Sequence, residues 1–250
     1  MYIIRIFCPY LTKKHTLSDT KVLITTGRNA EGYINRSEIL DMSVEGDNLC
    51  LGWVDYPVQV EAASAGFLGS DTFICGGKKS NMDSDECYIL NSRTSSFAIH
   101  MNNMRQFAAS IVLNETLLWI SGGKNGLNVL DSTEFVQMTE TTPGPNLPEP
   151  LYRHTMISTN NDLSMIIGGW NKFFHTEKSF YYDHREQEWL IGPNLNYGRS
   201  RHAAGTVIDK VTLATLVIVT GGKNSDGEMN STEILDNDEW IKGKLPIRTN

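Results

Sequence analysis

The chain has 250 residues, 40% of them hydrophobic and 20% charged, with a formal net charge of −7. That composition is enough for one large β domain or two small ones, and it argues against disorder. Charges of both signs are interspersed, so neither duplex nucleic acid nor an anionic membrane is expected as a partner, and no stretch approaches the roughly 18 uninterrupted apolar residues of a membrane-spanning helix.

Residues 1–11 open with Tyr2-Ile3-Ile4-Arg5-Ile6-Phe7. Arg5 breaks the apolar run and no cleavage site follows, so it reads as a strand rather than a secretory signal. The first repeat-like element is Val22-Leu23-Ile24-Thr25-Thr26-Gly27-Arg28. Fuller copies follow as Phe73-Ile74-Cys75-Gly76-Gly77-Lys78, Trp119-Ile120-Ser121-Gly122-Gly123-Lys124, Met165-Ile166-Ile167-Gly168-Gly169-Trp170 and Val217-Ile218-Val219-Thr220-Gly221-Gly222-Lys223. The last glycines, at 27, 77, 123, 169 and 222, are spaced by 50, 46, 46 and 53 residues. A fixed period of this size is the signature of a repeat architecture.

After each glycine comes a second strand with an acid near its start: Glu38, Glu86, Glu134, Glu177 and Glu233. A third strand carries Trp53, Phe97, Trp189 or Trp240, with Thr141 in that place in the third copy. Gly/Pro/Leu turns such as Gly144-Pro145-Asn146-Leu147 and Gly192-Pro193-Asn194-Leu195 then lead to strands of small residues, opened by Arg105, Arg153-His154 and Arg201-His202. Four short strands per unit cannot bury both faces alone, so neighbouring sheets must stack, and radial stacking puts the small-residue strands nearest the axis.

The diglycine, the following acid, the distal Trp and the period together resemble the kelch family across about residues 20–245. The resemblance implies an all-β, kelch-type β-propeller of four-stranded antiparallel blades in a single domain over 1–250. The five repeats run approximately over 1–57, 58–104, 105–150, 151–198 and 199–250. The ring is five-bladed, with residues 1–10 supplying the innermost strand of the first blade, or it is an incomplete six-bladed ring. In this frame Gly76, Gly77, Gly122, Gly123, Gly168, Gly169, Gly221 and Gly222 allow the backbone to turn, and Trp53, Trp189 and Trp240 fill the space between sheets.

Four cysteines, Cys8, Cys50, Cys75 and Cys87, form no CxxC pair, so no zinc site is expected. Cys75 and Cys87 fall on adjacent strands; a disulfide is open to them, but buried thiols are the preferred reading. N-x-S/T motifs stand at Asn35, Asn114 and Asn230. With 20 Asn and 40 Ser and Thr in the chain, chance alone gives about three, so they carry no weight here. The compartment is undetermined, with the cytoplasm preferred to secretion.

No enzyme is expected, and no cofactor. The six histidines form no close-spaced metal motif, and no acid–base pair is evident. Function is therefore sought where the second strands end and the inner strands begin, which lie on one face. The residues after the diglycines are Arg28, Lys78, Lys124, Trp170 and Lys223, and those opening inner strands are Arg105, Arg153 and Arg201. Such cations with an aromatic fit an acidic loop or peptide.

This pattern is similar to the substrate-binding face of kelch adaptors of cullin ubiquitin ligases. There, cations after the diglycine, Arg at the inner-strand start and Ser before the repeat acid contact acidic peptides. Ser84, Ser132 and Ser231 match the Ser position, while Arg36 and His175 replace it in the other copies. No BTB or BACK segment precedes the repeats within these 250 residues. The resemblance implies a protein partner presenting an acidic loop or peptide, such as a ubiquitin-ligase or cytoskeletal component. A carbohydrate-binding or sugar-isomerising propeller is the alternative.

Overall fold

The structure is a computed structural model that describes residues 14–18, 21–41, 43, 50–80, 82–159, 162–208 and 215–243. Every regular element among them is a β-strand. The expected strand at residues 1–10 lies outside the described residues.

The strands form five four-stranded sheets. The first contains β1 (Lys14–Ser18), β2 (Lys21–Asn29), β3 (Gly32–Asp41) and β4 (Cys50–Gly52), so the first position in its order is held by Lys14–Ser18. The second contains β5 (Ser64–Leu68), β6 (Asp71–Cys75), β7 (Glu86–Leu90) and β8 (Ser95–His100). The third contains β9 (Ala109–Asn114) and β10 (Leu117–Ser121), then a small hairpin of β11 (Lys124–Asn125) and β12 (Asn128–Val129), then β13 (Thr133–Val136) and β14 (Thr141–Pro143). The fourth contains β15 (Thr155–Ser158), β16 (Leu163–Ile167), β17 (Ser179–Asp183) and β18 (Glu188–Ile191). In the last, β19 (Ala203–Ile208) and β20 (Thr215–Thr220) are followed by the hairpin of β21 (Lys223–Asn224) and β22 (Gly227–Glu228), then β23 (Thr232–Asp236) and β24 (Glu239–Gly243).

Each sheet is ordered as its strands occur in sequence, the form of a propeller blade. Burial follows that order. In β6, β10 and β16 every residue after the first is buried, whereas the outermost β8 and β18 are largely exposed. A strand covered on both faces reads as a continuous apolar run rather than an alternating one, which is why the second strand of each repeat is so visible in the sequence.

The chain divides into two compact units: Met1–Gln106 with Asn114–Leu118 and Val136–Thr142, and Phe107–Leu113 with Trp119–Phe135 and Pro143–Asn250. In the first, Tyr56, Val60, Ala63, Ala65, Ile74 and Leu90 form a core, with Tyr56 and Tyr88 edge-to-face at 5.3 Å. In the second, Trp119 is fully buried among Met156, Ile166, Phe180 and Tyr182, with the Trp189 ring 5.9 Å away. Trp240 packs with Met165, Ile167, Val217 and Val219, and its indole N–H donates to Pro193 O at 3.0 Å. Trp53 is half-buried.

The diglycines hold left-handed backbone and close approach together. At Gly168, φ is +56°, and a Cβ would stand 2.6 Å from Arg199 O. The last glycine of each of the first four copies donates its N–H to the segment that leads into the next inner strand: Gly27 to Val60 O, Gly77 to Arg105 O, Gly123 to Leu151 O and Gly169 to Arg199 O, all at 2.8 Å. In the degenerate first copy Thr26 takes the left-handed position at φ 54°, an unusual conformation for a β-branched residue.

Cys75 and Cys87 face each other across β6 and β7 and are joined in a disulfide. This corrects the thiol reading. Positions directly opposite in an antiparallel pair bring their Cβ atoms to about 4.5–5.5 Å, and the residue spacing alone does not define that register.

Candidate functional site

The hydrogen bonds from the diglycines define equivalent positions at the start of each inner strand. Val60, Arg105, Leu151 and Arg199 accept from the last glycine and are all buried. The next residue pairs with the residue after the following diglycine. Glu61 exchanges backbone bonds with Lys78 (3.1 and 2.8 Å), Tyr152 with Trp170 (3.1 and 2.8 Å) and Ser200 with Lys223 (2.9 and 2.8 Å). One residue further, Ala62, Phe107, Arg153 and Arg201 all take φ of 57° or 58°.

Arg105 is therefore equivalent to Arg199 and not to Arg153 and Arg201. It is 1% exposed, so its expected place on an open binding face is corrected to the interior. The sequence did carry a signal for this. Arg153 stands 15 residues before Gly168, and the residue 15 before Gly122 is Phe107.

In the second unit these positions build a basic and aromatic patch. Arg201 N–H donates to Arg153 O at 3.0 Å and Arg153 N–H to Phe107 O at 2.9 Å, which links successive inner-strand starts. The Arg153 guanidinium lies 4.2 Å from the Phe107 ring centre and 5.3 Å from that of Tyr152, and Lys124 Nζ lies 5.7 Å from the same Tyr152 ring. Trp170 meets His175 edge-to-face at 4.4 Å, and His175 Nδ1 is 3.0 Å from Ser200 Oγ. Burial pushes His175 below the ordinary imidazole range, and Lys223, Arg201 and Arg153 push it the same way. Phe107 and Tyr152 were not among the residues singled out from the sequence, and His175 entered it only as a replacement at the Ser position.

The remaining candidates are dispersed. Lys223 Nζ is 3.9 Å from Glu228 on its own hairpin. In the first unit Lys78 is half-buried, and the exposed Arg28 lies over Tyr33, the residue opposite it in the sheet, at 5.4 Å. Ser84 is buried, and its Oγ accepts the Glu86 N–H at 3.2 Å. Ser132 is half-buried, with its carbonyl accepting from Gly122 N–H. Ser231 contacts buried Arg199 through both its carbonyl and its hydroxyl. The repeat acids use other cations: Glu86 pairs with Lys79 at 2.7 Å and Glu233 with Arg199 at 2.6 Å.

His154 and His202 are buried beneath the diglycines, with Nε2 2.8 Å from Ser121 Oγ and Thr155 Oγ1 respectively. Burial, with help from Arg199 and His154, pushes His202 down to about 3. Both rings are packing elements. Among the described residues no three His, Cys, Asp or Glu side chains gather where they could hold a metal ion.

No family model matches the chain. A curated relative, Kelch-like protein 41b of Danio rerio, is 28% identical over 134 residues, which is 51% of this chain and 21% of the relative. The match spans about a fifth of that relative's length. The chain is thus similar to a kelch-like protein over half its length, and its four-stranded antiparallel sheets are consistent with a propeller.

Proposed function

We propose that the chain is a non-catalytic protein-binding module that takes an acidic segment of its partner on the patch around Trp170. The observation that carries this reading is the Arg153 guanidinium over the Phe107 and Tyr152 rings, with Lys124 over the same Tyr152 ring and Tyr152 paired through its backbone with Trp170. Arg offers forked donors to carboxylates, Lys a point charge, and the aromatic rings bury apolar area with little loss of side-chain freedom. The likeness to a kelch-like protein supports the same class of function.

The test compares capture of partners by wild type and by an Arg153→Ala/Arg201→Ala variant with unchanged melting behaviour, followed by titration of the captured partner's acidic segment as a peptide. Binding that weakens as ionic strength rises and is lost in the variant is the expected result. Equal capture by the two proteins overturns the reading. Salt-insensitive binding of a glycan would favour the carbohydrate alternative.

A further inference from the structure

The three N-x-S/T motifs are alike in the sequence and unlike in the structure. At Asn35 the hydroxyl residue of the motif, Ser37, is 3% exposed and bonded to Thr25 Oγ1 at 2.6 Å. At Asn230 it is Thr232, 6% exposed and bonded to Thr220 Oγ1 at 2.9 Å. Asn114, Glu115 and Thr116 are all exposed, in the turn between β9 and β10. There Asn114 Oδ1 accepts from both Thr116 N–H and Thr116 Oγ–H, each at 2.9 Å. This Asx turn occupies the carboxamide oxygen. It is made by residues two apart, so it can form before the tertiary structure does.

Two further observations bear on this turn. The disulfide between Cys75 and Cys87 belongs to an oxidising compartment, the same environment in which asparagine motifs are glycosylated. The turn also adjoins the Leu117 end of β10, whereas Gly122, Gly123 and Lys124 follow its other end.

We propose that Asn114 carries an N-linked glycan, added in an oxidising secretory compartment, and that Asn35 and Asn230 do not. In the transfer, Asn114 Nδ2 bonds to the anomeric carbon of a lipid-diphosphate-linked oligosaccharide. The anomeric C–O bond to the diphosphate breaks, the lipid diphosphate leaves with the electron pair, and Nδ2 gives up one proton to a base of the transferase. This assignment is independent of the binding patch.

The test is glycopeptide mass spectrometry on the protein isolated from its native source, with the full chain secreted from cultured eukaryotic cells as a second arm. The native Asn114 peptide is expected to carry hexosamine and hexose, and to gain the mass of an aspartate at that position after peptide N-glycosidase. In the secreted chain, Asn114→Gln and Thr116→Ala each remove one glycan step on a gel, while Thr116→Ser keeps it. An unmodified Asn114 in the native protein, or a glycan step that survives Asn114→Gln, overturns the proposal.

Discussion

Arg199 and Glu233 form an ion pair at 2.6 Å in which neither side chain exposes any surface. The guanidinium also donates to Gly221 O at 3.0 Å and to Ser231 O at 3.1 Å, and the second carboxylate oxygen accepts from the Asn196 backbone and side-chain amides at 2.6 and 2.8 Å. The pair ties the turn before β19 to the start of β23, 34 residues apart in sequence. A buried pair held by these bonds resists the loss of either partner far more than an exposed pair would.

Arg199→Ala and Glu233→Ala are each expected to cost about 3–5 kcal/mol, because each strands a buried charge. The Arg199→Ala/Glu233→Ala double variant should lose clearly less than the sum of the single losses. Urea denaturation of the four proteins in a double-mutant cycle reads this out, and additive losses would refute the coupling.

Arg105 and Arg201 should behave oppositely, although both follow a turn and open an inner strand. Arg105→Ala empties a position only 1% exposed and is expected to cost more than about 2 kcal/mol. Arg201 is exposed, so Arg201→Ala should stay within about 0.5 kcal/mol of wild type while weakening partner binding. Comparison of melting curves with binding isotherms separates the two effects.

Gly168→Ala places a methyl group 2.6 Å from Arg199 O on a backbone at φ +56°, and about 1–3 kcal/mol of destabilisation is expected. Gly205→Ala is the control. No atom lies within 4 Å of its added Cβ, and that substitution should be tolerated. Equal denaturation midpoints for the two variants would contradict the close packing at the diglycine.

His202 predicts a pH dependence. Its folded-state value of about 3 lies below the ordinary imidazole value of about 6.5, so the unfolded chain binds the extra proton. Its contribution to stability is complete above about pH 6.5 and is lost as pH falls toward about 3, at up to about 1.4 kcal/mol per pH unit. His202→Gln should flatten the stability profile over that window relative to wild type, as measured by chemical denaturation at a series of pH values.

The disulfide between Cys75 and Cys87 spans 12 residues, a loop whose closure is worth about 2–3 kcal/mol. A Cys75→Ala/Cys87→Ala protein should melt at a lower temperature than the oxidised wild type. Both sulfurs are buried, so thiol alkylation of the folded protein should be slow until it is denatured and reduced.

The sequence by itself determined the period, the four strands of each unit and the left-handed turns after the second strands. These are local properties, set by contiguous apolar runs and by glycine's freedom at positive φ. It also brought Lys124, Arg153, Trp170, Arg201 and Lys223 into view as candidates. Only the tertiary structure decided which arginines face inward, because an offset of two residues at an inner-strand start separates buried Arg105 and Arg199 from Arg153 and Arg201. It likewise decided that Arg199 meets Glu233, that His175 meets Trp170 and Phe107 lies against Arg153, that Cys75 meets Cys87, and that only one of three N-x-S/T motifs lies fully exposed. Each of these outcomes depends on strand register and on packing between units of the repeat, which residue spacing along the chain does not encode.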